Sequence, residues 1–143
     1  IGRIQLTRMQ AWTAARIANA AMLDAVGAHF PLLRLVKVPA DVVHAEYKHY
    51  FFVRPALLAD GWSRDRIIDE VVARGVPCYQ GSCSEVYLEK AFDGTPWRPT
   101  ARLANAKLLG ETSLMMLVHP TLTADEMQKA CDVLAEVLAL ASR

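Results

Sequence analysis

Cysteine is scarce in this chain of 143 residues. The three cysteines, Cys78, Cys83 and Cys131, do not form the even framework that staples small secreted domains. We therefore expect a reducing, cytoplasmic location. Cys78 and Cys83 also lack a second pair of cysteines or histidines at the tight spacing of a zinc site, so no metal is expected.

An excess of charge of one sign is also absent. The 16 basic and 15 acidic residues leave a formal charge of +1 and are spread along the chain. A nucleic-acid partner usually requires a basic stripe, so none is expected. No apolar run reaches the roughly 20 residues needed to span a bilayer, and we expect no membrane partner either.

Common catalytic motifs are missing too. The sequence has no phosphate-binding loop, no paired carboxylates, no nucleophile elbow and no zinc-protease helix motif. A cysteine nucleophile would need a neighbouring base, and no spacing joins a cysteine to His119. The residues by themselves therefore point to no catalytic motif and to no metal site within this chain.

What the sequence does contain is the composition of an ordinary globular domain. Its apolar fraction of 53% is enough for one core. An alanine-rich helical pattern covers residues 2–26 and ends at Gly27. Apolar and aromatic runs then predict strands over residues 32–38, 47–54 and 113–118.

Cap residues mark the later helices. Ser63 is expected to cap a helix that ends at Gly75. A short helix is predicted over residues 85–91. Another helix is predicted from Pro99 to Leu109 and is expected to end at Gly110. The order of elements predicts an α+β fold. It has a small mixed or antiparallel sheet of three or four strands, with helices on one side and a long N-terminal helix in front.

The last helix has the clearest start signal. Thr123 is placed as the N-cap and Glu126 as the third helical residue, which together make a capping box. Leu122 and Met127 have the spacing of a hydrophobic staple. We therefore expect this helix to begin immediately after Thr123.

The loop over residues 75–87 is the strongest candidate for a binding site. It combines two glycines with hydroxyl and phenol groups between two predicted helices, and loops often carry function. The candidate ligand-binding residues are Tyr79, Ser82, Ser84 and Tyr87. The alternative is that these side chains pack the loop on the core.

Two further candidates lie outside this loop. Lys48 interrupts an aromatic strand and could meet an anionic ligand, or it could be an edge lysine whose ammonium lies in water. His119 follows a buried strand and could face a ligand, or it could bond the backbone at the strand end.

Four segments together resemble a known family. They are residues 1–6 (Ile-Gly-Arg-Ile-Gln-Leu), the tyrosine-rich strand with 53–54 (Val-Arg), residues 73–76 (Ala-Arg-Gly-Val) and residues 117–126 (Leu-Val-His-Pro-Thr-Leu-Thr-Ala-Asp-Glu). Their order is similar to the C-terminal part of the DegT/StrS family of pyridoxal-phosphate-dependent sugar aminotransferases. The resemblance covers nearly the whole chain.

The resemblance implies a fold-type I aminotransferase. Residues 1–30 would be the long connecting helix and residues 31–143 the small C-terminal domain, so that the chain is a piece of a longer protein. Such enzymes transfer an amino group, usually from glutamate, to a keto-sugar on a nucleotide, and they usually work as homodimers. Many of them make amino sugars for lipopolysaccharide or other cell-surface polysaccharides.

In the family, the Schiff-base lysine lies on the large N-terminal domain, and no lysine of this chain matches it. Pyridoxal phosphate is therefore expected in the full-length protein and not on this chain, which should be inactive alone. A family scaffold whose lysine is replaced can run a dehydration instead, and that position lies outside this sequence.

The candidate loop departs from the family. A His-Tyr pair is common after the Arg-Gly-Val helix end, and Gly81 and Ser82 stand there in this chain, with Tyr87 in place of a later histidine. Where the family often has Tyr-His, Tyr47 and Lys48 occur, and only Tyr47 matches. The resemblance therefore implies a substrate site at Tyr47, with a different sugar.

A second hypothesis comes from a different class. The chain could be a stand-alone α+β module that binds a small metabolite through the same loop, or that dimerises. This hypothesis predicts that the chain alone binds a ligand and forms a stable oligomer.

Overall fold

The computed structural model describes residues 2–143, so Ile1, the first residue of the expected connecting helix and of the family segment 1–6, lies outside the described residues. The helices are α1 (Gly2–Gly27), α2 (Arg64–Ala73), α3 (Ala104–Thr112) and α4 (Ala124–Ala141). The strands are β1 (Leu33–Leu35), β2 (His49–Val53), β3 (Cys78–Tyr79) and β4 (Ser113–Met116). Three short 3-10 turns occupy Pro55–Leu57, Val86–Leu88 and Lys90–Phe92.

The four strands form one sheet in the order β1-β2-β4-β3, and every pairing is antiparallel. Phe51 of the central β2 lies opposite Leu35 of β1 on one side and Leu114 of β4 on the other. The α+β prediction is confirmed, and of the mixed and antiparallel alternatives the sheet is antiparallel.

The first face of the sheet carries the core. Along β2, His49, Phe51 and Val53 are buried while the residues between them are half-buried, as the alternation of a strand requires. Helices α1, α2 and α4 cover this face, and eight buried side chains of α4 point into it. Gly27 ends α1 so close to Phe51 that a Cβ there would lie 2.9 Å from the ring.

The second face of the sheet is less covered, and it positions the candidate site. Tyr50 and Phe52 of β2 point to this face and lie opposite Met115 and Ser113 of β4. The loop over residues 80–84 and Leu109 of α3 approach the same face. This face therefore combines aromatic and hydroxyl groups with partial exposure.

The helix caps predicted from sequence are present. Ser63 accepts the N–H of Arg66 at the start of α2. Thr123 and Glu126 form both hydrogen bonds of the capping box. Leu122, the expected staple residue, packs against the core.

Several predicted boundaries are wrong. α3 begins at Ala104, not Pro99, and it continues through Gly110 instead of ending there. Gly110 packs closely against the loop, because a Cβ at this position would lie 2.5 Å from Ser84 Oγ unless that hydroxyl moved. The segment predicted as one helix over residues 85–91 forms two 3-10 turns, and β1, β2 and β4 are shorter than their apolar runs.

Candidate functional site

The loop over residues 80–84 is held against the second face of the sheet. Gly81 has a φ of +99°, and a Cβ on it would lie 2.8 Å from Tyr50 Cε1. Ser113 of β4 donates its hydroxyl to the carbonyl of Gln80. Glycine therefore permits both the left-handed backbone and the close approach.

Ser82 is the centre of this region. Its hydroxyl lies 2.9 Å from the Tyr50 hydroxyl, and it lines three neighbouring hollows of about 310, 430 and 380 Å³. We call these the sheet hollow, the loop hollow and the lysine hollow. The sheet hollow is lined by Tyr50, Phe52, Ser82, Cys83, Ser84, Leu109 and Ser113. The lysine hollow is lined by His44, Ala45, Glu46, Tyr47, Lys48, Tyr50 and Ser82.

The structure brings four of the candidate residues together around these hollows. Tyr47, Lys48 and Ser82 share the lysine hollow. Ser82 and Ser84 share the sheet hollow and also the loop hollow, which reaches Arg102. Two of these residues immediately precede β2 and the other two lie in the loop, more than 30 positions further along the sequence.

Tyr87 has a supporting position instead. Its side chain is buried, its hydroxyl donates to Glu85 over 2.7 Å, and it accepts the N–H of Leu103 over 2.9 Å. Burial and the bond to Glu85 raise the pKa of Tyr87. Both functions of its hydroxyl are used within the chain, so Tyr87 braces the loop on the segment before α3.

Glu85 joins that brace to Arg102. The Arg102 guanidinium and the Tyr87 hydroxyl lower the pKa of Glu85 to about 2. A carboxyl whose pKa is lowered in the folded state stabilises the fold above its ordinary pKa of 4.5, and this contribution is lost as the pH falls toward about 2. At neutral pH, Glu85 is therefore ionised and its contacts with Arg102 and Tyr87 contribute in full to stability.

The two remaining candidates lie elsewhere. Tyr79 is half-exposed on the edge strand β3 and lines a separate hollow with Val72 and Val76. His119 is exposed, and its Nδ1 lies 2.7 Å from Thr121 Oγ1. Neither residue lines the three hollows around Ser82.

Sequence reasoning missed two residues that shape the site. Tyr50 shares a face with Lys48 and Phe52 by simple alternation, so a signal for it existed. Arg64 gave no such signal, although it is buried and donates to the carbonyls of Ser113, over 2.7 Å, and Gly110, over 3.1 Å. It thereby joins the start of α2 to the α3–β4 junction.

Thiol and metal chemistry find little support in the described part of the chain. Burial raises the pKa of the Cys78 thiol to about 12 and also raises that of Cys131, so neither is a ready thiolate. No cluster of three or more histidine, cysteine or acidic side chains suited to a metal occurs within residues 2–143. Within the same residues, no helix has the length and apolar character of a membrane span.

Comparison with solved structures gives several close matches. An aminotransferase from Psychrobacter cryohalolentis superposes with a TM-score of 0.90 and 49% sequence identity, over 96% of this chain and 37% of that chain. This chain therefore spans little more than a third of that protein. No protein-family model matches the chain, and no curated protein matches it either.

More distant structures share the fold. A DegT DnrJ EryC1 StrS aminotransferase from Brucella abortus has a TM-score of 0.72 and 18% identity, covering 92% of this chain and 32% of its own. The sugar aminotransferase CalS13 from Micromonospora echinospora has a TM-score of 0.77 and 15% identity, covering 95% of this chain and 33% of its own.

Proposed function

We propose that this chain, which spans about a third of the length of the aminotransferases that it matches, is the C-terminal domain of a sugar aminotransferase of the DegT/DnrJ/EryC1/StrS type. The whole protein would transfer an amino group to a nucleotide-linked keto-sugar. The observation that carries the proposal is the 49% identity with one aminotransferase over 96% of this chain.

The face around Ser82 would supply one wall of the substrate site. Its hydroxyls, from Tyr50, Ser82 and Ser84, suit the many hydroxyl groups of a sugar, since each can donate and accept a hydrogen bond. The hollows are open, which suits a site completed by another domain or subunit. Tyr79 and His119 remain candidates for contacts on other surfaces.

The missing partner would be the large N-terminal domain of the same protein. Every residue over positions 2–11 of α1 is exposed, including Leu6 at 65% and Met9 at 56%. A helix of 26 residues, on the order of 39 Å long, extends beyond what this core covers. Its first half is available to pack against the large domain.

Pyridoxal phosphate would be held by that large domain. When bound, it supplies the electron sink for amino transfer. The described residues do not make a complete site for it, because Glu46, the carboxylate next to Lys48, contacts the imidazoles of His44 and His49 and is not free to pair with a pyridinium nitrogen. The chain's own residues would bind and orient the sugar, and the chain alone would be inactive.

The remaining parts of the proposal follow the family. The enzyme would work as a homodimer, take its amino group from glutamate and act in the biosynthesis of cell-surface sugars. Its cysteines Cys78, Cys83 and Cys131 are all free, which suits a reducing cytoplasm. The glycine and serine that replace the His-Tyr pair favour a sugar different from the common ones.

The decisive experiment uses the protein encoded by the whole reading frame. If the proposal is right, the purified protein incubated with pyridoxal phosphate develops a visible absorbance band, and borohydride traps the cofactor on a lysine outside residues 1–143. It also consumes glutamate in the presence of a nucleotide keto-sugar. The chain of 143 residues alone should do neither. A whole protein without the absorbance band would overturn the proposal.

A second function has one observation in its favour. The core cluster of buried apolar residues draws on α1, α2, α4 and all four strands, so this chain has a hydrophobic core of its own. A stand-alone metabolite-binding module would need such a core. Thermal unfolding with nucleotide sugars separates the two functions, because only the module should be stabilised at micromolar ligand as an isolated chain.

A further inference from the structure

A charged side chain is buried at the junction between α3 and β4. Arg64, the first residue of α2, is only 9% exposed. Charged residues are rarely buried unless they are paired, because moving a charge out of water is costly. Its Nε donates to Asp65 Oδ1 over 2.8 Å, but Asp65 is 65% exposed. This contact with a solvated carboxylate therefore does not explain why the guanidinium is buried.

The inner nitrogen of the guanidinium binds two backbone carbonyls at once. Nη1 of Arg64 donates to the carbonyl of Ser113 over 2.7 Å and to that of Gly110 over 3.1 Å. Gly110 lies in the last turn of α3, where carbonyls have no partner within the helix and where the helix dipole favours a cation. Ser113 begins β4. One guanidinium therefore fixes the end of α3 relative to the strand that follows it.

The same two residues contact the loop over positions 80–84. Ser113 donates its side-chain hydroxyl to the carbonyl of Gln80, at the start of this loop. Gly110 lies so close to Ser84, at the other end of the loop, that an added Cβ would lie 2.5 Å from the Ser84 hydroxyl oxygen. Both ends of the loop therefore rest on the junction that the guanidinium binds.

Arginine suits this place better than the residues that could otherwise fill it. A methionine would avoid the cost of a buried charge, but it would leave the two carbonyls without this donor. A lysine would keep the charge, but its ammonium is a point charge on a flexible stem. The planar guanidinium donates outward through Nε and inward through Nη1, so its geometry fixes both contacts together.

We propose that Arg64 is a positioning residue for the substrate wall. Through Ser113 and Gly110, it sets how deeply the loop lies against the sheet, although it lines none of the three hollows itself. It thereby places the Ser82 and Ser84 hydroxyls that would meet the sugar. The identity of the ligand rests on the proposed function, whereas the hold on the loop follows from contacts within this chain.

The first test follows the loop in the protein encoded by the whole reading frame. Hydrogen exchange of backbone N–H groups, measured by mass spectrometry on peptides over residues 78–88, reports how firmly the loop is held. Arg64→Lys should speed exchange in these peptides about tenfold or more, as expected for the loss of a hydrogen bond to a charged group. Exchange over α4 should stay as it was, which also shows that the variant folds.

The second test separates positioning from stability by enzyme kinetics. In the same protein, Arg64→Lys should raise the KM for the nucleotide keto-sugar about tenfold, because misplaced binding groups weaken binding by at least this order. The KM for glutamate should stay nearly unchanged. A residue that only stabilised the fold would lower the amount of active protein and hence the apparent kcat, without changing the KM of one substrate alone.

Arg66→Lys is the matched control. Arg66 lies in the same turn of α2, but its side chain is 49% exposed and its Nη1 donates to the carbonyl of Gly61 over 3.1 Å. The same substitution at this position should leave the exchange of the loop and both KM values unchanged.

A double-mutant cycle tests the route from the guanidinium to the loop. Ser113→Ala removes the hydroxyl that binds Gln80 and keeps Arg64 in place. It should itself speed exchange over residues 78–88, and unchanged exchange there would overturn the proposal. Arg64→Lys should then have a smaller effect in the Ser113→Ala background than in the original protein, because the two groups act in one chain of contacts. Additive effects would contradict this route.

The result can be told apart from the outcome for the proposed function. If Arg64→Lys leaves the exchange of the loop as it was, or raises both KM values equally, Arg64 is not a positioning residue, and the protein could still transfer amino groups. If the protein consumes no glutamate at all, the aminotransferase proposal falls. The exchange measurement would still decide whether Arg64 holds the loop.

Discussion

Gly81 sets how closely the candidate loop approaches the sheet. Its φ of +99° is a conformation that residues with a Cβ rarely adopt, and the space above it is filled by the Tyr50 ring. The hydrogen bond between Tyr50 and Ser82 depends on this approach. A side chain at position 81 should therefore affect both the stability of the fold and the shape of the hollows.

We predict that Gly81→Ala destabilises the chain more than Gly94→Ala does. Gly94 also has a positive φ, +71°, but has no atom within 4 Å of its added Cβ. Gly94→Ala should cost about 1–2 kcal/mol for backbone conformation alone. Gly81→Ala should cost about 1–3 kcal/mol more for crowding against Tyr50.

Urea unfolding of the two variants measures the difference. The Gly81 variant should also shift the amide resonance of Ser82, and the Gly94 variant should not. Equal free energies of unfolding for the two variants would show that the loop is not held by this contact.

At the residue scale, the sequence indicated the tight loop better than it indicated what each of its side chains contacts. Ser82 and Ser84 were predictable, because small hydroxyl residues beside a glycine mark a tight loop. The supporting role of Tyr87 was not, because it depends on Glu85 and Leu103, and only the folded loop brings their polar groups together. Local composition indicates a loop, but it does not indicate which of its polar side chains form hydrogen bonds within the chain and so cannot bind a ligand.

At the scale of elements, helix boundaries with a local signal were predictable, such as the starts at Ser63 and Thr123 and the end at Gly27, whereas both boundaries of α3 were not. A capped helix start depends on residues that are neighbours in the sequence. At Thr123, for example, the side-chain hydroxyl accepts a hydrogen bond from a backbone N–H that has no partner within the helix. The end of α3 depends on what packs against it. Gly110 looked like a stop, but it lies inside the helix, where an added Cβ would meet Ser84 Oγ.

We predict that Thr123→Ala destabilises the chain by about 1 kcal/mol, the usual cost of losing an N-cap. Hydrogen bonds from the Thr123 backbone and hydroxyl lower the pKa of Glu126. That part of the stability is present above the ordinary carboxyl pKa of 4.5 and is lost as the pH falls below it. The effect of Thr123→Ala should therefore shrink in acid.

Chemical unfolding at neutral pH and at about pH 3, below the ordinary glutamate pKa, provides the measurement. Thr100→Ala, in an exposed segment, is the matched control and should change the free energy by less than about 0.5 kcal/mol. A Thr123 effect that stays the same in acid would mean that Glu126 contributes nothing through its charge.

At the scale of the whole molecule, α1 has two different halves. Its second half supplies Ala20 and Leu23 to the core, and its first half touches little of this chain. The long alanine-rich pattern predicted the helix, but it could not show where burial begins, because alanine suits both a core and a solvated surface. The proposed large domain would cover the first half.

We predict that the double change Leu6→Gln and Met9→Gln leaves the stability of this chain within about 0.5 kcal/mol, since both side chains are mostly exposed. In the protein encoded by the whole reading frame, the same change should lower the thermal midpoint and weaken retention of pyridoxal phosphate, because it places amides in an apolar contact. The control is Val43→Gln, at a side chain 86% exposed between β1 and β2, which should have little effect in either protein. If the double variant behaves identically in the short and the long protein, the first half of α1 is not a contact with the rest of the enzyme.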